Sequence, residues 1–365
     1  MSELFRSFLL GGFEGSTMTF PDGRRVDPVA VTGHERRAEA DYALLRQLGI
    51  ATVREALRWH AIERTDGGCD WAGFRTLLAA ARRAGVQVIW DLCHFGWPDG
   101  LDIWSPAFVD RFAAFARAAA EVHAAATDEP PLWCPVNEIS YWSWAAGEEA
   151  HFLPATLGRG TALKHQLVRA AIAAADAVRT VDRRARLVFA EPAIHIVGSG
   201  PDDRDDAERH RRSMFEAWDM VAGRLAPELG GRPELLDIVG VNFYDRNEWV
   251  HYGRTLHPGE PLYRPFAAIL AELWARYRRP LFVAETGAEG EAGPPWLDYV
   301  AAEVAAARAA GVPVAGVCLY PAMDYPGWED GRHCRCGPIR IDPGSGERRI
   351  DGAMAAAIRR NAPRA

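Results

Sequence analysis

The chain has 365 residues, enough to bury a large core as one barrel or as two medium-sized domains. Hydrophobic residues make up 48% and charged residues 25%, the ordinary range of soluble globular proteins. A formal net charge of -7 argues against a nucleic-acid partner, and no apolar run is long enough to span a membrane. Phe8-Leu9-Leu10 is too short for the core of a signal peptide, so we expect a cytoplasmic protein.

The cysteines show no metal-binding pattern. Cys334 and Cys336 are separated by a single residue, a poor spacing for zinc without a second pair nearby. Cys93, Cys134 and Cys318 fall inside apolar runs, where a reduced cysteine behaves as a small hydrophobe. We therefore expect all six cysteines to be free thiols, and we expect neither a metal nor a cofactor.

Eight apolar runs alternate with helical patterns along the chain. The predicted strands cover residues 8–14, 50–57, 86–95, 131–138, 186–192, 236–244, 280–287 and 312–320. The predicted helices cover residues 35–48, 71–84, 106–125, 161–181, 207–226, 265–277, 295–310 and 351–360. Strands that are apolar on both faces belong in a parallel sheet covered by helices. We predict an α/β fold, a single (β/α)8 TIM barrel over residues 1–365, with its active site at the carboxyl ends of the strands.

Two of the predicted strands carry a glutamate at or near their carboxyl end. The stretches PLWCPVNE and PLFVAETG each begin with proline and pass through an apolar run to Glu138 or Glu285. One such glutamate could point into solvent or pair with an arginine, because burying its charge is costly. Two carboxylates at the ends of two buried strands are what acid and nucleophile chemistry at a sugar acetal needs.

The other predicted strands also end in polar groups. These groups would face the same concave site at the carboxyl ends of the strands, which we call the bowl. Besides the two glutamates, this set contains Glu14, Arg54, Glu55, His94, Asn137, Glu191, Asn242, Tyr244 and Tyr320. Aromatic residues crowd the loops that follow, among them Trp97, Trp142 and Trp328. Aromatic rings cover the C–H faces of a sugar while polar groups bind its hydroxyls. We therefore expect a small glycoside or an oligosaccharide as the ligand.

The order of these motifs resembles glycoside hydrolase family 1, a family of retaining β-glycosidases in the large clan of (β/α)8 enzymes. The resemblance covers nearly the whole chain, which is shorter than most members of the family. It rests on six segments that follow the family's order: residues 34–59, His94-Phe95-Gly96-Trp97-Pro98, Asn137-Glu138, Val241-Asn242-Phe243-Tyr244, Glu285-Thr286-Gly287 and residues 324–337.

The resemblance implies a retaining β-glycosidase that uses no metal. Glu285 would be the ionised nucleophile, oriented by Arg54 and by the hydroxyl of Tyr244. Glu138 would be the acid/base, with its pKa raised by burial and by the charge of Glu285. Asn137 would bind the sugar 2-hydroxyl, an interaction that strengthens in the transition state.

Further substrate contacts are predicted around these residues. By the same resemblance, His94 would bind another sugar hydroxyl. The remaining predicted contacts are Asn242, Tyr320, Glu14, Trp97, Trp142 and Trp328.

The chain departs from the family on the side of the pocket that grips the hydroxyls far from the reacting carbon. The family's glutamine on the first strand falls at Gly12, its glutamate in the closing segment at Gly327, and its strand-eight tryptophan at Tyr320. Three glutamates could replace the lost groups, namely Glu14, Glu191 and Glu329. The sequence therefore predicts the type of reaction more specifically than it predicts which sugar is the substrate.

Two alternative functions remain open. A transglycosidase would use the same two glutamates with an acceptor hydroxyl in place of water. A carbohydrate-binding pseudoenzyme would keep the bowl without turnover, although a binder has no need for a paired acid and nucleophile. The sequence does not indicate an oligomeric state.

Overall fold

A closed barrel of eight parallel strands forms the centre of the computed structural model, which describes residues 4–362. We number the barrel strands in chain order as β1 (Leu9–Gly12), β2 (Thr52–Ala56), β3 (Gln87–Asp91), β4 (Leu132–Cys134), β5 (Arg186–Pro192), β6 (Ile238–Asn242), β7 (Leu281–Thr286) and β8 (Val314–Leu319). Each strand lies beside its neighbours in the chain, and β1 closes the barrel by pairing Leu9 with Val317 of β8. The predicted (β/α)8 barrel is confirmed.

Helices connect the strands and cover the outside of the barrel. The α-helices are Pro28–Thr32, His34–Gln47, Trp59–Ile62, Ala72–Ala84, Pro106–Ala126, Ile139–Trp142, Gly160–Val181, Arg204–Arg212, Glu216–Val221, Phe266–Tyr277, Gly293–Ala309 and Gly352–Asn361. The helix predicted over residues 207–226 is divided, because a 3-10 turn at Ser213–Phe215 separates two shorter helices. A π-helical turn, Ser143–Glu148, extends the helix that follows β4.

Between residues 4 and 362, six short strands lie outside the barrel as two-stranded ribbons. His195–Val197 pairs with Glu248–Val250, and Tyr325–Pro326 pairs with His333–Cys334. In the tail, Ile339–Ile341 pairs with Arg348–Ile350.

Side chains along each strand alternate between the inside of the barrel and its helical coat. On β4, Leu132 and Cys134 belong to the inner cluster, whereas the ring of Trp133 faces the coat, 5.7 Å from His123. The other members of the inner cluster are Phe5, Leu10, Ile89, Val188, Ala190, Ile238, Phe282, Ala284, Cys318 and Tyr320. Apolar residues thus fill the barrel, and polar residues gather at its mouth. Glu285 reaches the mouth because a register shift between Val283 and Glu285 interrupts the alternation on β7.

On β2 this alternation determines which of the predicted polar residues face the inside of the barrel and which face the helices. Arg54 points inward, where it meets Glu285 of β7. Glu55 points outward instead, and its carboxylate accepts hydrogen bonds within the coat, where it lies 2.8 Å from the ring of His34. The expectation that Glu55 faces the bowl is wrong, because neighbouring residues of a strand lie on opposite faces.

All six cysteines are free, as predicted. Within residues 4–362, no cluster of three His, Cys, Asp or Glu side chains is arranged to hold a metal ion. Over the same residues, no helix is both long and apolar enough to cross a membrane. The assignment of residues 1–365 to one domain stays a prediction, since its first and last three residues lie outside the described part of the chain.

Candidate active site

Glu285, on β7, lies at the mouth of the barrel with both carboxylate oxygens engaged. Its Oε1 accepts a hydrogen bond from Arg54 Nη1 at 2.6 Å, and its Oε2 accepts one from the hydroxyl of Tyr244 at 3.0 Å. Glu285 is buried, so these two donors replace water around the carboxylate. They stabilise its charge and fix the direction of its lone pairs.

Arg54 is fully buried and binds three side chains at once. In addition to Glu285, its Nε donates to Asp91 Oδ1 at 2.9 Å and its Nη2 donates to Asn137 Oδ1 at 2.6 Å. Burial alone would lower the pKa of Arg54, but the charges of Asp91 and Glu285 raise it above its ordinary value. Arg54 therefore stays charged and links β2, β3, β7 and the segment after β4.

Asp91 belongs to this site, although sequence reasoning did not single it out. It is the last residue of β3, and besides Arg54 it contacts His94, whose Nδ1 lies 3.2 Å from Asp91 Oδ2. A signal was present in the stretch VIWDLC, since a carboxylate inside an apolar run must find a buried cation or donor.

A chain of hydrogen bonds orients the amide of Asn137. Its oxygen accepts from Arg54, so its nitrogen Nδ2 is the atom that lies 2.9 Å from His94 Nε2. Because the amide nitrogen only donates, Nε2 accepts and the ring proton of His94 is on Nδ1, toward Asp91. Both ring nitrogens of His94 thus already have a hydrogen-bond partner. His94 can bind a sugar hydroxyl only when that hydroxyl replaces one of these partners. Asn137 keeps a second amide hydrogen for a ligand.

Glu138 follows β4 by four residues, since that strand ends at Cys134 and not at residue 138 as predicted. Its backbone is in the left-handed region, with φ 46° and ψ 58°, and its N–H donates to Ala190 O on β5 at 2.9 Å. Its Oε1 accepts a hydrogen bond from Asn242 Nδ2 at 2.8 Å. Burial and the charge of Glu285 raise the pKa of Glu138 well above its ordinary range, against the hydrogen bond from Asn242. A carboxyl whose pKa is raised in this way holds its proton more firmly and can act as an acid.

The opposite side of the bowl is formed by Tyr320, Glu14 and their neighbours. The hydroxyl of Tyr320 accepts a hydrogen bond from Gly15 N at 3.2 Å. Glu14 is buried, and its Oε1 accepts from both the backbone N–H and the hydroxyl of Ser16, at 3.0 and 2.6 Å. Burial raises the pKa of Glu14, against the hydrogen bonds from Ser16, which lower it.

The other two candidate glutamates do not occupy this side. Glu329 is exposed to solvent, and the carboxylate of Glu191 binds the backbone of residues 139 and 140. Among the three candidates, only Glu14 combines burial with a position near His94 and Tyr320.

The three predicted tryptophans differ in exposure. Trp97 and Trp328 are partly exposed, and Trp97 donates its Nε1–H to Leu101 O at 2.8 Å. Trp142 is fully buried, with its ring centroid 5.8 Å from that of Trp97 and 6.0 Å from that of Phe95. The prediction that Trp142 contacts substrate is corrected: this ring has no accessible face and packs within the wall of the bowl.

Solved protein structures resemble this chain, whereas no protein-family model and no curated protein sequence matches it. The AHE enzyme from Alicyclobacillus herbarius superposes with a TM-score of 0.78 at 20% identity, covering 97% of this chain and 98% of that chain. A family 1 β-glucosidase from Thermotoga maritima gives 0.76 at 17% identity and covers 99% of both chains. The same β-glucosidase in complex with glucoimidazole gives 0.76 at 17% identity over 100% of both chains. The described part of the chain therefore has the fold of family 1 β-glucosidases, as the resemblance in its sequence predicts.

Proposed function

We propose that this protein is a retaining β-glycosidase that hydrolyses a small β-glycoside, with Glu285 as nucleophile and Glu138 as acid/base. One observation carries the proposal. Two carboxyl groups at one barrel mouth have opposite surroundings: Glu285 is bound by Arg54 and Tyr244, while the pKa of Glu138 is raised well above its ordinary range. Two carboxyls with such different environments are the arrangement that retaining glycosidases use.

The first step is formation of a glycosyl-enzyme. A carboxylate oxygen of Glu285 forms a bond to the anomeric carbon while the bond from that carbon to the glycosidic oxygen breaks. Glu138 gives its proton to the departing oxygen, which leaves as an alcohol. In the second step Glu138 removes a proton from water, whose oxygen displaces Glu285, so two inversions give net retention.

The electrostatics of the pair suit this change of role for Glu138. While Glu285 is ionised, its charge helps to raise the pKa of Glu138 and keeps the acid protonated. Once Glu285 is esterified by the sugar, that charge is gone and the pKa of Glu138 falls. Glu138 then holds its proton less firmly and can act as the base of the second step.

Substrate contacts are assigned on both sides of the reacting carbon. The free amide hydrogen of Asn137 is directed to the sugar 2-hydroxyl, beside His94 and Asn242. Tyr320 and Glu14 would contact the side of the sugar that is remote from the reacting carbon. The partly exposed rings of Trp97 and Trp328 would pack against the C–H faces of the glycoside.

The stereochemical course of hydrolysis tests the proposal. Nitrophenyl β-glycosides of glucose, galactose, fucose, xylose, mannose and N-acetylglucosamine are first screened for turnover. Proton NMR of the best substrate should then show the β-anomer of the free sugar first, with the α-anomer appearing only by mutarotation. Initial release of the α-anomer contradicts the retaining mechanism, and binding without turnover of any panel member would favour the pseudoenzyme.

A further inference from the structure

Glu191, the penultimate residue of β5, is a buried carboxylate that the proposed reaction does not use. Its Oε1 accepts a hydrogen bond from the backbone N–H of Ile139 at 2.7 Å, and its Oε2 accepts one from the N–H of Ser140 at 2.9 Å. Each carboxylate oxygen therefore serves one of two successive backbone donors. These donors belong to the two residues that directly follow Glu138.

The backbone that Glu191 holds is an unusual one. Glu138 has φ 46°, and a non-glycine residue in the left-handed region is disfavoured by about 1–2 kcal/mol. Such a conformation persists only where its surroundings impose it. Here β5 binds three consecutive N–H groups: Ala190 O accepts that of Glu138 at 2.9 Å, and the carboxylate of Glu191 accepts the next two.

The side chain of Glu138 is held from the neighbouring strand. Asn242, at the end of β6, donates to Glu138 Oε1 at 2.8 Å, and Asn242 lies beside Pro192 in the register of β5 and β6. β5 thus fixes the backbone of Glu138, and β6 fixes its carboxyl group.

Glu191 also acts on Glu138 through charge. A negative charge on Glu191 contributes to the raised pKa of Glu138, after the larger effects of burial and of Glu285. Burial raises the pKa of Glu191 itself to about 7, against hydrogen bonds from Ser140 and Ile139 and the charge of Lys164, which lower it. Lys164, on the helix Gly160–Val181, is paired with Glu216 at 2.5 Å.

We propose that Glu191 is a positioning residue for the acid/base: by accepting the N–H groups of Ile139 and Ser140, it holds Glu138 in the conformation that aims its carboxyl at the glycosidic oxygen. This inference rests on the proposed function of Glu138. A glutamine at position 191 has one acceptor oxygen, and its NH2 group would face an N–H donor. Only a carboxylate can satisfy both amides.

The test compares two leaving groups in the Glu191→Gln variant. With the methyl β-glycoside of the best panel sugar, kcat/KM should fall about 10- to 100-fold, because an alkoxide needs a well-aimed acid. With the 2,4-dinitrophenyl glycoside, which leaves without protonation, kcat/KM should stay within about threefold of wild type. The basic limb of the kcat/KM profile should also move to lower pH, since the charge that helps raise the pKa of Glu138 is gone.

Glu248→Gln is the matched control. Glu248 is also a buried carboxylate that accepts a backbone N–H, that of Arg264 at 2.8 Å, and burial raises its pKa to about 7. This variant should show the wild-type ratio between the two substrates. Equal losses on both substrates in Glu191→Gln, with an unmoved basic limb, overturn the proposal, and so does the same selective loss in Glu248→Gln.

Two further variants keep the result interpretable. If Glu191→Gln does not fold, Glu191→Asp keeps the charge but withdraws the carboxylate, and it should show the selective loss on the methyl glycoside without the full shift of the basic limb. Equal losses on both substrates in Glu191→Asp overturn the proposal. Glu138→Gln, assayed in parallel, tests the role of Glu138 itself. A loss on the methyl glycoside alone in Glu138→Gln, with no such selective loss in the Glu191 variants, contradicts only the inference about Glu191. The same effect on both substrates in Glu138→Gln contradicts the proposed function.

Discussion

The ring of Tyr320 occupies the space that a side chain at Gly12 would need, since a Cβ at Gly12 would lie 2.1 Å from Tyr320 Cδ2. Glycine at position 12 and tyrosine at position 320 are therefore a matched pair. In the family that the sequence resembles, the first of these positions carries a glutamine that grips sugar hydroxyls. Here an aromatic ring covers that place, with its hydroxyl held by Gly15 N at 3.2 Å.

This pairing predicts an altered preference for the sugar. Without the polar groups lost at Gly12 and Gly327, a buried hydroxyl on the far side of the ring that Glu14 and Tyr320 do not reach lacks a partner, at a cost of about 1–3 kcal/mol. Unmodified β-glucosides should be mediocre substrates, and the preferred sugar should be deoxygenated or substituted at those positions. The nitrophenyl panel measures this as kcat/KM, and a strong, clean preference for plain β-glucoside would show the idea to be wrong.

Replacing Glu285 with alanine should abolish hydrolysis for leaving groups of every reactivity, because no glycosyl-enzyme can form. Added azide or formate can occupy the vacated space and attack the anomeric carbon directly. The product of that rescue should have inverted configuration. NMR assignment of the glycosyl azide checks this outcome, and an azide product of retained configuration would contradict the role given to Glu285.

Replacing Glu138 with alanine or glutamine should give a different pattern. Attack by Glu285 on a dinitrophenyl glycoside should survive, since that leaving group needs no proton, whereas alkyl glycosides should react slowly. The second step loses its base, so the intermediate should accumulate and azide should rescue turnover with retained configuration. The basic limb of the pH profile should disappear with the acid. An identical response of the Glu138 and Glu285 variants to leaving group and azide would mean that the two roles are wrongly assigned.

The barrel and the centre of the site could be predicted because both are visible as local patterns in the sequence. Apolar runs on both faces of a strand predict a parallel barrel, and Glu138, Arg54 and Glu285 stand at or near the ends of such runs. Their meeting at one mouth follows from the topology, since parallel strands of a barrel end on the same face. The reasoning failed where a side chain's direction depends on one residue of register, as for Glu55, which faces the helical coat.

Other features depend on contacts between distant segments and could not be predicted. The role of Asp91 requires Arg54 and His94 as partners, and nothing near Glu191 in the sequence indicates that it binds backbone N–H groups 51 and 52 positions away. Trp142 looks like any loop tryptophan until its burial is known.

A second buried charge cluster lies between β2 and the helix His34–Gln47, and it makes a prediction about stability. The two ring nitrogens of His34 lie 2.8 Å from Asp41 and 2.8 Å from Glu55, and Tyr42 donates to Glu55 at 2.7 Å. Burial alone would lower the pKa of His34, but the charge of Glu55 and bonds to both carboxylates raise it to about 9. Its stabilising effect is complete below pH 6.5, the ordinary histidine value, and is lost as the pH rises toward 9.

The contribution of His34 to the free energy of unfolding should therefore fall by about 3 kcal/mol between these pH values, and the urea midpoint should fall with it. A His34→Gln variant is the control, since it should be less stable at pH 6 and its decline should be smaller than that of the wild type by this amount. A flat midpoint in the wild type, or an equal decline in the variant, would contradict a protonated His34.

In the proposed mechanism Glu285 forms a covalent bond to the sugar. The direct measurement is incubation with the 2,4-dinitrophenyl 2-deoxy-2-fluoro β-glycoside of the best panel sugar, followed by intact mass and peptide mapping. Fluorine at carbon 2 destabilises both transition states, while the activated leaving group keeps the first step faster than the second, so the intermediate accumulates. We predict one added fluoroglycosyl group, located on Glu285 in the peptide that contains the stretch LFVAETG. A modification on any other carboxylate, or burst-free turnover that releases the α-anomer without any adduct, would contradict a covalent intermediate on Glu285.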